Sequence, residues 1–320
     1  MRNEIGSEFW DIPVADENHF FPVETKWFVS GRSGLKAILS ENSFSTASLP
    51  VWCCDSMIRP FLESGIKISF YTYEPEIADV SLVMDYFGYA TDQNYSNYPG
   101  IIIRDLTHSL FSKAYSDADY YFGSLRKWAG FYTGGFAWGF NNKIQYSCIK
   151  SAYSDLRKMA MNMKAEYINE KSESKEYLNI FNLAETELDN IGIHPADERD
   201  IQAALILDIP KIKNQRRKNA CVLLNGLGKY VIYHNIKADD CPMFVPILVP
   251  GGKRDELRRY LIQNEIYCPV HWPVSEYHHL DNEMKCLYNQ ELSIVCDQRY
   301  TENDMIRIVY TIEKFLKEGI

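Results

Sequence analysis

Apolar and polar positions alternate along the first half of the chain so as to place strands between helices. The apolar runs "ASLPVWCC" (47–54), "IKISFYTY" (66–73), "DVSLVMDYFG" (79–88) and "GIIIRDL" (100–106) predict four strands. Between them, "SGRSGLKAIL" (30–39) predicts a glycine-rich turn entering a helix, and "DSMIRPFLESG" (55–65) a helix capped by Asp55, strained at Pro60 and ended by Gly65. Such alternation predicts an α/β class with a mostly parallel sheet covered by helices on both faces.

The second half has a different rhythm. From Ile149 to about Asn190 the chain turns helical and charged, and "DERDIQAALILDIPKIKNQRRKNACVLLNGLG" (197–228) predicts a long helical stretch disturbed at Pro210. Short strands ("KYVIYH", "MFVPILV") and two helices ("RDELRRYLIQNE", "ENDMIRIVYTIEKFLKEG") suit a smaller α+β domain. The division expected is 1–215 for the large domain, with 1–27 an N-terminal arm, and 216–320 for the small one.

Composition narrows the function classes. The 320 residues are 46% hydrophobic with a net charge of −9, enough for a large core and unsuited to a nucleic-acid surface. No run of about 18 apolar residues predicts a membrane span, and the opening "MRNEIGSEFWDIP" lacks a signal-peptide core. The eight cysteines have no paired CxxC spacing, which predicts reduced thiols in a cytoplasmic protein without a zinc ribbon. Cys268, His271, His278, His279 and Asp281 lie close in sequence but lack two clustered ligand pairs, so no metal site is expected.

Candidate chemistry gathers where strands end, the place ligands occupy in open α/β sheets. "IIIRDLTHS" sets Asp105 just past a buried strand with His108 three residues on. "FGSLRKWAGFYTGGFAWG" (122–139) sets Ser124 and Lys127 after the next strand, among aromatics and ahead of a glycine pair. Singly, these read as a turn aspartate, a core histidine, a loop and a lysine lying over a ring. Together they match the needs of pyridoxal phosphate. A lysine desolvated by Trp128, Phe131 and Tyr132 beside Arg126 can attack an aldehyde. A carboxylate can keep a pyridine nitrogen protonated, and a helix start holds a phosphate.

At these residues the chain resembles the DegT/DnrJ/EryC1/StrS aminotransferases, fold type I pyridoxal-phosphate enzymes that act mostly on nucleotide-linked keto-sugars. "RDLTHS" resembles the family's Asp-x-x-His/Gln motif and "SLRKWAGFYTGG" its cofactor lysine with Gly134–Gly135 downstream. "SGRSGLKAIL" is similar to its phosphate-cup turn, "LVMDYFGY" to a strand ending in an aromatic and glycine, and "RDIQAALILDIPKIKNQRRKNA" to its inter-domain helix. "RDELRRYLIQNEIYCPVHWP" is similar to the small-domain segment that ends in a proline-and-histidine loop, with His271 at the pocket edge.

The resemblance implies a fold type I large domain plus a small α+β domain. It implies Lys127 as the cofactor-bearing and proton-moving lysine, Asp105 at the ring nitrogen and His108 at the ring oxygen. Gly31, Arg32, Ser33 and Ser124 would hold the phosphate, and Cys54 stands where an aromatic normally stacks on the ring. Glutamate or glutamine would be the donor, a keto-sugar the acceptor, and a homodimer the assembly. The chain departs from the pattern in the short stretch 73–80, in Phe122 where a serine is usual, and in "HPADER" (194–199), which replaces the family's Asn-Tyr-Arg loop toward the partner subunit. Two other readings stay open: a non-enzymatic binding or regulatory protein on this fold, and a different pyridoxal-phosphate reaction on a sugar.

Overall fold

The computed structural model describes residues 2–147 and 151–318. In chain order it forms β1 (Ile5–Gly6), β2 (Lys26–Phe28), α1 (Gly31–Glu41), β3 (Thr46–Pro50), α2 (Asp55–Glu63), β4 (Lys67–Tyr71), β5 (Val80–Met84), β6 (Ile101–Asp105), β7 (Tyr120–Ser124) and β8 (Gly135–Trp138). Next come α3 (Tyr153–Ile168), α4 (Tyr177–Asp189), α5 (Glu198–Leu205) and α6 (Ile209–Leu227). The chain ends with β9 (Phe244–Leu248), α7 (Arg254–Gln263), β10 (Ile266–Tyr267), α8 (Asn282–Gln290), β11 (Glu291–Val295) and α9 (Glu302–Glu318). The start of the helical stretch expected from Ile149, and Cys148 before it, lie outside the described residues.

Seven strands build the central sheet in the order β2-β8-β7-β6-β5-β3-β4. β3 through β7 pair in parallel, and β8 alone runs against both neighbours. All five residues of β5 are buried, the unbroken apolar pattern of a parallel strand covered on both faces. β6 contains one exception. Arg104 is fully buried, bonded to Asp85 at 3.0 Å and Asp117 at 2.6 Å, with its guanidinium 3.9 Å from the Tyr115 ring. A charge can be buried there only because carboxylates meet it on two sides.

Local corrections follow from capping. Cys54 is the N-cap of α2, and Asp55 is its first residue, an anion at the positive helix end rather than the cap. The expected long helix is two helices. Asp208 caps α6 by accepting from Lys211 N–H, so Pro210 sits in a first turn that tolerates it. The arm holds the break open, with Ala15 N–H donating to the Ile206 carbonyl and Asp208 N–H to the Pro13 carbonyl.

The small domain packs the antiparallel pair β9–β11 against α6, α7 and α9. Its core includes Leu223, Val245, Ile247, Leu261, Leu292, Ile294 and Ile308. "KYVIYH" makes only an isolated bridge, Val231 to Ile247. Pro246 accepts from Ile232 N–H but has no N–H to return, so the ladder stops. Two features cross the expected boundaries. α6 runs through residues 215 and 216, and β1 of the arm pairs with β10, which puts Ile5 in the small-domain core.

Candidate active site

The glycine pair explains how the site assembles. Gly134 takes a left-handed φ of +104°, and a Cβ on Gly135 would lie 2.1 Å from the Ser30 carbonyl carbon. Only glycine lets the backbone before α1 rest on β8. The same approach brings Gly31 against β7: a Cβ there would stand 3.1 Å from the Gly123 oxygen and 3.5 Å from Ser124 Cβ. Strand register then sets Asp105 opposite Phe122, so β6 and β7 end side by side next to the start of α1.

Asp105 is buried at the end of β6 and forms no ion pair among the described residues. Its Oδ1 accepts from Thr107 N–H at 2.7 Å. Burial pushes its carboxyl up to about 6, partly offset by Thr107. His108 Nδ1 faces the Phe87 N–H at 3.4 Å, which makes Nδ1 the acceptor and leaves the hydrogen on Nε2. Burial, and then the charge of Lys127, hold this imidazole neutral by lowering it to about 3. Its ring lies 5.2 Å from His271, 5.3 Å from Trp272 and 5.3 Å from Phe87, centroid to centroid.

Lys127 closes the tight turn Leu125–Lys127 and is exposed. The aromatics expected to desolvate it do not do so. A 3-10 turn spaces successive side chains about 120° apart, and Trp128 points instead into the core, where its Nε1 donates to the Thr107 carbonyl. Arg126 diverges as well, pairing with Glu185 at 3.2 Å. Lys127 reaches the remaining site electrostatically, since its charge acts on His108, His271, Cys54 and Glu8.

Cys54, Ser124 and α1 complete the first ring of residues. Cys54 is half-buried, 2.9 Å from the Ser56 hydroxyl, with its thiol pushed up by burial. Ser124 stands at the edge of the helix start. In α1, Ser33 is committed to the fold: its N–H donates to Ser30 Oγ, and its hydroxyl bonds Gly192 and His194 of the adjacent loop. Arg32 turns outward to Asp189 at 2.8 Å. The N–H groups of Gly31 and Arg32 have no acceptor inside the helix, so they are the donors α1 offers. The 194–199 loop packs on its own chain, with Asp197 capping α5 and Ala196 N–H donating to the Trp27 carbonyl.

Lys127 opens onto a cavity of about 520 Å³ between the arm, α4 and the small domain. Arg126, Arg157, Arg258 and Arg299 line it, together with His271. The arm supplies Glu8, which bonds Arg157 at 3.3 Å. Burial opposes its charge, but Arg157, Arg126 and Lys127 hold its carboxyl below the usual range. Sequence reading missed most of this wall. Glu8, Arg157 and Arg299 come from three distant segments, and no local pattern joins them. Trp272 follows His271 in the proline-and-histidine loop, and its ring, like that of His271, packs against His108 from the small domain. Trp52, two residues before Cys54, stacks on Tyr86 at 4.7 Å. Of the residues considered for a metal, Asp281 caps α8, Cys268 lies in the small-domain core, His278 packs on Phe70 and His279 is exposed.

No protein-family model and no curated protein matches the sequence. Solved structures do match in shape. PseC of Helicobacter pylori, an aminotransferase involved in the biosynthesis of pseudoaminic acid, superposes with a TM-score of 0.65 at 13% identity, covering 98% of this chain and 100% of its own. The PLP-form of Spr1654 from Streptococcus pneumoniae gives 0.63 at 13% identity over 92% of this chain and 88% of that one. A DegT DnrJ EryC1 StrS aminotransferase from Brucella abortus gives 0.59 at 16% identity, over 91% and 85%. The chain therefore has the fold of these aminotransferases over 91% to 98% of its length.

Proposed function

We propose that the protein is a pyridoxal-phosphate-dependent aminotransferase that moves an amino group from glutamate or glutamine to a keto-sugar. The observation that carries this reading is Asp105, a buried carboxylate without a cationic partner among the described residues, at the end of β6 next to a helix start, with Lys127 in the turn that follows β7. A protonated pyridine with a phosphate arm fits all three. Asp105 would hold the ring nitrogen and the Nε2–H of His108 the ring oxygen. The Gly31 and Arg32 N–H groups and the Ser124 hydroxyl would hold the phosphate, with Ser33 fixing the turn that presents them. Cys54 would lie along the ring, and Lys127 would bear the aldehyde carbon.

When bound, pyridoxal phosphate supplies an aldehyde that accepts amines and a ring that draws off an electron pair. Lys127, with its amine free, would be the base that moves the donor's α-proton. The arginines of the cavity suit carboxylates and phosphates, which favours a nucleotide-linked sugar.

Donor alone tests the reading, because half of an amino transfer needs no acceptor. Glutamate or glutamine should convert the visible spectrum of the loaded protein to that of the amine form and release one equivalent of keto acid. A protein that turns yellow with the cofactor yet is converted by no common amino acid would be a binding protein on this fold.

The assembly we propose is a homodimer, as fold type I sites are usually completed across one. Met159, Leu178 and Leu183 leave apolar surface exposed on α3 and α4 beside the cavity. Light scattering at micromolar concentration should give twice the chain mass of 37.2 kDa. A fully active monomer would end this proposal. Among the described residues, no helix is long and apolar enough to cross a membrane.

A further inference from the structure

Three buried side chains of the small domain form one hydrogen-bonded line ending at the cavity. Glu291 is fully buried at the start of β11, and its Oε2 accepts from the backbone N–H of His271 at 2.8 Å. Ser293, two residues on and so on the same strand face, bonds Glu291 Oε1 through its hydroxyl. The same hydroxyl lies 2.8 Å from His271 Nδ1. His271 is buried too, yet its residue forms part of the cavity wall that Lys127 also lines. Arg254, the nearest cation to Glu291, bonds only its backbone carbonyl.

A serine has one proton and cannot donate in both directions at once. Two patterns are therefore open to the line. With Glu291 ionised, Ser293 donates to it and accepts from His271 Nδ1–H, which leaves Nε2 bare. With Glu291 protonated, the carboxyl donates to Ser293, Ser293 donates to Nδ1, and Nε2 carries the hydrogen. The patterns differ by one proton, and the imidazole is neutral in both.

The surroundings keep it neutral. His271 packs on Phe87, Phe244 and Trp272 and faces His108 from the loop after β6. Burial, His108 and Lys127 together hold it well below the usual histidine range. On its other side burial pushes Glu291 up to about 7, against the bonds from Ser293 and His271 and the charge of Arg254 on α7. The added proton thus resides on the carboxyl and not on the ring.

We propose that His271, Ser293 and Glu291 form a proton relay that takes a proton from the cavity side at His271 Nε2 and stores it on Glu291. On uptake the Nε2–H bond forms and the Nδ1–H bond breaks. That proton passes to Ser293 Oγ, and the serine's own proton passes to Glu291 Oε1. One proton enters, one is held, and no electrons are exchanged; the reverse sequence returns it. Glu291 and Ser293 are positioning residues acting through His271. The use of the relay rests on the amino-transfer reading: a carbonyl acceptor loses its oxygen as water, and the departing oxygen must gain a proton.

The relay has a signature that needs neither cofactor nor turnover. Nitrogen-15 spectra of the protein labelled at its 7 histidines report the tautomer of each ring, with His271 assigned by its loss in His271→Asn. In the wild type the His271 hydrogen should move from Nδ1 to Nε2 as pH falls through about 7, with the ring neutral throughout. Glu291→Gln, whose amide donates to Ser293 at every pH, should hold His271 as Nε2–H. Ser293→Ala, a second variant should the first not fold, should uncouple the tautomer from pH. A wild-type ring that becomes imidazolium, that keeps one tautomer across this range, or that shifts equally in Glu291→Gln overturns the relay. Failure to take up pyridoxal phosphate would sink the amino-transfer reading and leave this result standing. In active enzyme, the pH profile of kcat should lose its inflection near 7 in Glu291→Gln.

Discussion

Lys127→Ala should erase the visible absorption of the bound cofactor, prevent its trapping by borohydride, and lower turnover by about 10²–10⁴, the range of a lost proton-transfer group. The same substitution should leave stability within about 0.5 kcal/mol, since Lys127 is exposed on the cavity wall and makes no ion pair among the described residues. That pairing of results separates chemistry from structure. Its neighbours give the contrast, because Trp128 is buried under the Arg216 guanidinium and Arg126 is tied to Glu185. A variant that still traps cofactor covalently would move the attachment to another lysine. A variant that unfolds would make the turn at Leu125–Lys127, and not the amine, the reason for the residue.

What the sequence showed was local, and what it hid was joined by the fold. Apolar runs located β3 to β6, and for the inner strands β3, β5 and β6 this is because a strand covered on both faces needs no partner information to be recognised. The places of Asp105 and Lys127 at the ends of β6 and β7 were legible from those strands, and the glycine pair because its need for close approach is a property of glycine alone. Arg104 was not legible as a paired charge: it sits inside "IIIRD", and its partners Asp85 and Asp117 come from other segments. The relay was hidden in the same way. Glu291 and Ser293 lie in "ELSIV", an ordinary apolar strand by composition, and only the fold brings His271 to them. Ser33 shows the opposite error. Its type and place match a phosphate ligand, but its hydroxyl fastens the 192–194 loop to α1. The desolvation expected of Lys127 failed for a reason of geometry, since adjacent residues in a tight turn cannot share one environment.

Asp105→Asn should separate the role of the carboxylate from that of its shape. Asparagine keeps the oxygen that accepts from Thr107 N–H and gives up only the charge. Without cofactor that charge is a burden. Burial raises the Asp105 carboxyl to about 6, above the value of about 4 for an unfolded chain, so the native state holds a proton that the unfolded state has released. Stability therefore falls as pH rises from about 4 to about 6, by up to about 3 kcal/mol, and the loss persists at neutral pH. Cofactor-free Asp105→Asn should escape it and melt higher than the wild type at pH 7, while the two should melt alike near pH 4. Loading with pyridoxal phosphate should reverse the order at pH 7, because a pyridinium pairs with the carboxylate and gains little from an amide. Turnover should fall by about 10²–10³, as expected when an electrostatic group aimed at a developing charge is removed. Equal melting temperatures for the two cofactor-free proteins at pH 7 would mean that Asp105 is not held charged in an apolar setting. An unchanged turnover would remove it from the chemistry and leave the buried carboxylate without a purpose in this site.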